Sequence, residues 1–264
     1  MRKSRRDFLK IAGLSALGLG VKPAGDALAA GTQSSVAPDA KAIKGKRWAM
    51  VVDLKKFKES GEEAIKACVE ACHTIHNVPH FDNPKDEVKW IWPTGFGHAF
   101  TSQEHKFLHD YEEEGLKTEV PVLCNHCDNP PCVRVCPTQA TFKRPDGIVL
   151  MDMHRCIGCR FCMAACPFGA RSLNWRDPRA GLDPTKINRE FPTRTRGVVE
   201  KCNFCAERLA VGKMPACVEA CKNKEMVFGD LEDPNSEVRE LLKKNFAIRR
   251  KPQLGTQPQV YYIV

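Results

Sequence analysis

Cys156, Cys159, Cys162 and Cys166, the last followed by Pro167, place four thiols at intervals of two, two and three intervening residues. Thiolates are soft ligands, and three of them two residues apart let a loop wrap one face of an iron–sulfur cube with its backbone N–H groups aimed at the sulfides. The fourth cysteine, about one helical turn further on, reaches a second cluster instead. Gly158 permits close backbone approach and Ile157 stands where it can shield the cube from water. A second run repeats the scheme: Cys124, Cys127, Cys132 and Cys136, with Pro130 and Pro131 in a longer middle gap and Pro137 after the last thiol. Sharing fourth cysteines gives Cys124, Cys127, Cys132 and Cys166 to one cluster, and Cys156, Cys159, Cys162 and Cys136 to its neighbour. Cys202, Cys205, Cys217 and Cys221 form a third run, and Cys68 with Cys72 a partial fourth.

Three other uses of cysteine compete. Zinc would suit Cys124-x2-Cys127 or Cys202-x2-Cys205 alone, but it does not account for three-plus-one runs that end in proline. Disulfides suit an exported chain, yet cysteines crowded two residues apart in one loop pair poorly with each other. Covalent haem needs C-x-x-C-H, whereas Asp128 follows Cys127 and Met163 follows Cys162. His126, between two cluster cysteines, is read as a surface histidine, with cluster tuning or proton relay as the alternative.

The elements that must hold these thiols are short. Trp48 to Leu54 reads as a strand, and Glu62 to His76 has helical spacing with Cys68 and Cys72 on its apolar face. Residues 78–117 read as an irregular insertion with short strands, whose His80, His98, His105 and His109 share no ligand spacing. Thr141 to Arg144 and Ile148 to Leu150 flank Pro145-Asp146-Gly147 as a hairpin. Gly-rich nucleotide loops and nucleophile or acid–base motifs are absent, so catalytic residues are not expected.

At the N-terminus, Ser4-Arg5-Arg6-Asp7-Phe8-Leu9-Lys10, an apolar run from Ile11 to Val21, and Ala27-Leu28-Ala29 read as a twin-arginine export signal with cleavage after Ala29. The run is too short and too Gly-interrupted to span a membrane, and no other segment is long enough. Arg2, Lys3, Arg5, Arg6 and Lys10, among the basic residues behind the formal net charge of +9, lie in this signal, so the mature chain is mildly basic. Basic and acidic residues are interleaved and no recognition motif accompanies them, which argues against nucleic acid. The arginines from Arg171 through Arg176, Arg179, Arg189 and Arg194 to Arg196 read as a solvated loop rather than an acidic partner's docking site.

A cysteine run, a hairpin and a second run is the order of a bacterial ferredoxin. With His154 to Cys162, Asn174 to Arg179, Glu200 to Cys205, and the ending Leu254-Gly255-Thr256 to Tyr261-Tyr262, the chain resembles the four-cluster ferredoxin subunits of the polysulfide reductase and cytochrome nitrite reductase electron-transfer family. Within that family it is similar to the ferredoxin subunits of sulfite-reductase-linked Dsr membrane complexes. The resemblance implies an α+β fold: two ferredoxin-like 4Fe-4S modules with small β-hairpins, plus insertions. It places a signal peptide at 1–29, a linker at 30–45, an outer module from 46–118 plus 197–264, and a central dicluster module at 119–196. It implies a non-catalytic periplasmic subunit passing single electrons between an integral-membrane quinone-interacting subunit and a periplasmic multihaem cytochrome c.

Family members carry four complete runs, and here the first is broken. Phe57 stands where the first cysteine is expected, and counting back from Cys68 at two-residue gaps meets Ile65 and Glu62. The pairing rule then leaves Cys202, Cys205, Cys217 and Cys72 as one set and strands Cys68 and Cys221, so three 4Fe-4S clusters are expected. The stranded pair is expected to lie close together and to be able to form a disulfide after export, with rescue by His73, His76 or Glu62 as the alternative.

Overall fold

The computed structural model describes residues 39–102 and 118–264. The twin-arginine segment, its cleavage site, the first part of the linker, His105 and His109 lie outside them. Among the described residues the elements are short strands and helices, an α+β arrangement, and no helix is long and apolar enough to cross a membrane.

Strand β1 (Trp48–Asp53) is the centre of the largest sheet. It pairs antiparallel with β8 (Met226–Asp230) and parallel with β10 (Val260–Ile263), which carries β9 (Ala247–Ile248) on its outer edge. Alternation along β1 divides its side chains between two faces. Met50 and Val52 join Phe228, Tyr262 and Phe204 in the main core, whereas Ala49 and Val51 join Val227, Ile263 and Val238. Val238 belongs to α8 (Glu237–Lys244), so that helix covers the second face.

Asp53 ends β1 and caps the following helix α1 (Leu54–Ser60), its carboxylate accepting from the N–H groups of Lys55 and Lys56. The sequence reading carried the strand one residue too far because Leu54 is apolar, whereas the Asp side chain is what starts the helix. After Gly61 comes α2 (Glu62–Ile75), which buries Ile65, Cys68 and Cys72. The insertion is bounded by β2 (Ile91–Gly95) paired with β3 (Glu119–Leu123), and between them lies the single turn α3 (Phe96–Ala99).

The expected hairpin is present as β4 (Thr141–Lys143) against β5 (Val149–Met151). Its turn docks on the large sheet: Trp48 donates its backbone N–H to the Asp146 carbonyl at 3.1 Å and its indole N–H to the Asp146 carboxylate at 3.2 Å. The short pair β6 (Ser172–Leu173) and β7 (Val199–Glu200) joins the chain before and after the arginine-bearing loop.

That loop is not simply solvated. Arg171 and Arg194 are 5% and 2% exposed. Arg194 pairs with the fully buried Glu200, which also accepts from Trp90 Nε1 at 2.8 Å and from Asn174 Nδ2. The second guanidinium nitrogen of Arg194 donates to the His76 carbonyl. Charge counting along the sequence could not separate these two arginines from exposed Arg176 and Arg179. Replacing Arg194 by Met should leave Glu200 an uncompensated buried charge and lower unfolding stability by about 3–5 kcal/mol. Urea denaturation of wild type and variant checks this, with R179M as the surface control.

Candidate metal centre

The three complete runs share one backbone path. In each C-x-x-C the second intervening residue has a left-handed φ: +40° at His126, +68° at Gly158 and +55° at Phe204. Two of these are side-chain-bearing residues in a region they seldom adopt, so the bend belongs to the loop and not to glycine content. Such a bend turns successive N–H groups to one side, forming a concave donor array for anionic sulfur. The Phe204 N–H lies 3.5 Å from Cys202 Sγ, the Ala216 N–H 3.4 Å from Cys205 Sγ, and the Val199 N–H 3.4 Å from Cys156 Sγ. At Gly158 the close approach is real, though the neighbour is protein: a Cβ there would stand 2.3 Å from the Gly197 carbonyl oxygen.

The third cysteine of each run sits in a short helix: Cys132 in α4 (Pro131–Arg134), Cys162 in α5 (Phe161–Ala165), Cys217 in α7 (Ala216–Ala220). The fourth closes the helical turn, with the N–H groups of Cys136, Cys166 and Cys221 donating to the carbonyls of Val133, Met163 and Val218, each at 3.2 Å. Between Cys205 and Cys217 the chain makes α6 (Ala206–Ala210).

The fourth cysteine of the second run crosses to the first. Cys166 joins Cys124, Cys127 and Cys132 around one cavity that Val149, Phe168 and Arg171 also line. Burial pushes the Cys127 thiol up to about 12, reinforced by Cys124, Cys132 and Cys166. Cys162, raised chiefly by burial, adjoins Cys132 and Cys156. Burial would also raise Cys136, but N–H groups of Thr141, Thr138 and Ala140 outweigh it and bring the thiol below its usual value. Cys159 is partly exposed on the same loop as Cys156. At the other centre Cys72, carried on α2, is raised by burial and then by Cys202, Cys205 and Cys217. Cys202 is pushed up to about 12 by burial and by Cys124. Thiols gathered in this way cannot ionise together without a compensating cationic centre, which is the donor chemistry an iron–sulfur cube requires.

Several neighbours escaped the sequence reading. His126 is fully buried, not on the surface: its ring stacks on Phe204 at 3.6 Å, and Nδ1 accepts from the Val149 N–H at 3.1 Å. Burial, then Lys201 and Arg171, hold it far below the ordinary histidine range, so it is neutral. Arg171 donates to Thr141 Oγ1 at 2.7 Å, and its charge faces Cys132, Cys124 and Cys162, thiols of both central sets. His76 sits between Trp90 and Phe191, with Nδ1 2.8 Å from the Cys72 carbonyl and Nε2 2.7 Å from Glu207. Apart from the bond to the Cys72 carbonyl one helical turn back, these contacts join segments well separated in sequence, so no local spacing marks them. Ile157 is 67% exposed, and with Phe161 and Trp175 it makes the outer surface of the second loop apolar.

Cys68 and Cys221 meet with their sulfurs 2.8 Å apart. The alternative donors face elsewhere: His73 Nε2 contacts the Ile91 carbonyl at 3.2 Å, His76 is engaged by Glu207, and Glu62 lies on the surface beside Lys66.

The pattern of the 4Fe-4S dicluster domain family matches residues 117–181 and 184–231. The chain is similar to the Hdr-like menaquinol oxidoreductase iron-sulfur subunit 1 of Archaeoglobus fulgidus, 43% identical over 98% of this chain and 97% of that protein. It is similar to a subunit of the tetrathionate reductase of Salmonella typhimurium, 33% identical over 100% of this chain and 89% of the other. Protein NrfC of Escherichia coli is 34% identical over 100% and 96%.

Arg171 supplies a test of the central sets. A cation between them favours the more negative, reduced state, so R171Q should lower both midpoint potentials by roughly 1–2 kcal/mol at an effective dielectric of about 20, or roughly 40–90 mV for a one-electron couple. R171K should recover part of the shift. An EPR-monitored redox titration reads both.

Proposed function

This chain belongs to the family of 4Fe-4S dicluster iron–sulfur subunits that includes the menaquinol oxidoreductase, NrfC and tetrathionate reductase types, and on that premise we propose that it is a three-cluster electron relay. Cys124, Cys127, Cys132 and Cys166 hold one cluster, Cys156, Cys159, Cys162 and Cys136 the second, and Cys202, Cys205, Cys217 and Cys72 the third. The observation that carries this reading is the third set: a helix near the start of the described chain brings Cys72 to three thiols more than a hundred residues away, around one buried point. Thiols needed only for packing have no reason to converge in fours.

When bound, the clusters supply reversible one-electron chemistry. The protein's part is to hold, insulate and bias them. The left-handed loop bends aim N–H groups at thiolate sulfur, the aromatic set of Trp90, Phe191, Phe204 and Phe228 keeps the interior dry, and Arg171 and neutral His126 set the local charge. Nothing in this machinery requires a substrate, so the subunit is non-catalytic and its chemistry lies in partner subunits.

In the cellular setting, the chain is exported by the twin-arginine pathway and works at the periplasmic face, held to the membrane through partners. Electrons pass singly between a quinone-interacting membrane subunit and a multihaem cytochrome c in sulfur-linked respiration. The menaquinol oxidoreductase name of the Archaeoglobus relative supports the quinone side. The two-module reading assigns 119–196 to a central dicluster unit and 46–118 plus 197–264 to an outer one, consistent with β1 pairing to β8 and β10. A second reading is the equivalent subunit of a nitrite-, polysulfide- or hydrogenase-linked complex, or of a tetrathionate-linked one in line with the Salmonella relative, and the genes adjoining its own distinguish them.

Anaerobically purified protein should carry about twelve irons and as many acid-labile sulfides per chain. Cys72→Ser should reduce both to about eight and remove one set of EPR signals while leaving the central sets intact. A folded wild-type preparation with zinc or no metal would end the proposal.

A further inference from the structure

We propose that Cys68 and Cys221 are a disulfide site, a covalent staple between the early helix α2 and the end of α7. The repeat geometry identifies Cys221 as the counterpart of Cys166: both close a short helix with the same 3.2 Å turn bond. Cys166 points out of its own run into the thiol set of another. Cys221 likewise turns toward another segment, and the thiol its sulfur contacts is Cys68, at 2.8 Å.

The surroundings do not complete a donor set. Phe57 and Ile65, on the same side of the N-terminal helices, are 3% and 4% exposed and pack in the core with Cys68. Glu225, the nearby carboxylate, is held by Ser60 Oγ at 2.7 Å and by the Asn223 N–H at 3.0 Å. Cys217, which also adjoins Cys68, lies with Cys72, Cys202 and Cys205. Among the described residues no further histidine, cysteine or carboxylate gathers at this pair. The inference shares one premise with the function proposed above, that Cys72 and Cys217 serve another centre. Two thiols in contact with no third ligand are suited to bonding each other, and a bond of about 2.05 Å closes with a small side-chain rotation.

Access favours an ordered exchange. Cys68 is fully buried and Cys221 is partly exposed. The Cys221 thiolate attacks an external disulfide R–S–S–R, forming Cys221–S–S–R and releasing one R–S⁻. The Cys68 thiolate then attacks the Cys221 sulfur, forming the internal bond and releasing the second R–S⁻. The two thiol protons end on the two R–S⁻ groups, and R–S–S–R takes up the two electrons that the cysteines lose.

The full chain, purified anaerobically with its clusters, is incubated with oxidised glutathione, quenched in acid, denatured, alkylated without reduction and digested. A peptide joining Cys68 to Cys221 is expected, about 2 Da lighter than its two thiol halves, cleaved by reductant and absent from C68S and C221S. Those variants should keep the wild-type iron and sulfide content, and their unfolding midpoint should match that of reduced wild type. Finding both cysteines alkylated after oxidation would overturn the inference, as would loss of about four irons in C68S. Should C68S fail to fold, the wild-type peptide map decides alone. Iron-free wild type carrying the linked peptide would sink the relay reading and leave the disulfide standing.

Discussion

Mutual repulsion among buried thiolates is the constraint on which the remainder of this fold depends. Burial alone raises a thiol, and each neighbouring sulfur raises it further, so the sets around Cys127 and Cys72 are unfavourable as bare anions. A cationic inorganic centre reverses the sign of that interaction. Folding and cofactor retention are therefore one equilibrium, and the modest apolar core does not have to hold the chain unaided. The shortness of the helices fits this: a single turn such as α4 or α5 has little stability of its own and is fixed at both ends by a ligand cysteine.

Around these centres the protein has placed ionised groups where an ordinary core would have none. Arg194 and Glu200 neutralise each other among Trp90, Asn174 and His76, and Lys201 is buried with its ammonium directed to the carbonyls of Val149 and Cys202. Arg194 also reaches the His76 carbonyl and Lys201 the Val149 carbonyl, partners from separate segments. Their value is positional: they lock β7, the insertion and the hairpin into one orientation. A hydrophobic replacement would have to recover that specificity by shape alone.

Much of this was legible in the sequence, because cluster ligation is a local code. The spacing of Cys124 to Cys136 and of Cys156 to Cys166 specifies the wrapped loops, and with them the crossing of Cys166 to the other run, while the hairpin between them follows from Pro145-Asp146-Gly147. The closeness of Cys68 and Cys221 was reached by subtraction. What spacing does not encode is which polar residue turns inward. Arg171 and Arg194 look no different from Arg176, and His126 reads as polar loop until Phe204, a distant residue, is found stacked on it. Ile157 reads as a cover over its loop, but the exposed apolar surface it makes with Phe161 and Trp175 joins residues that no spacing groups together.

The position of β1 has a consequence for the order of events in the cell. Its two neighbours, β8 and β10, are made long after it, and Cys72 gathers with residues up to Cys217. A ribosome that has passed both central runs has already released them to mature, while the N-terminal strand still has no edge to join. Closure of the sheet thus waits on synthesis of β8 and β10, and the gathering of thiols around Cys72 on synthesis as far as Cys217. On the export route proposed above, closure of this sheet becomes the checkpoint at which a chain is ready to leave the cytoplasm.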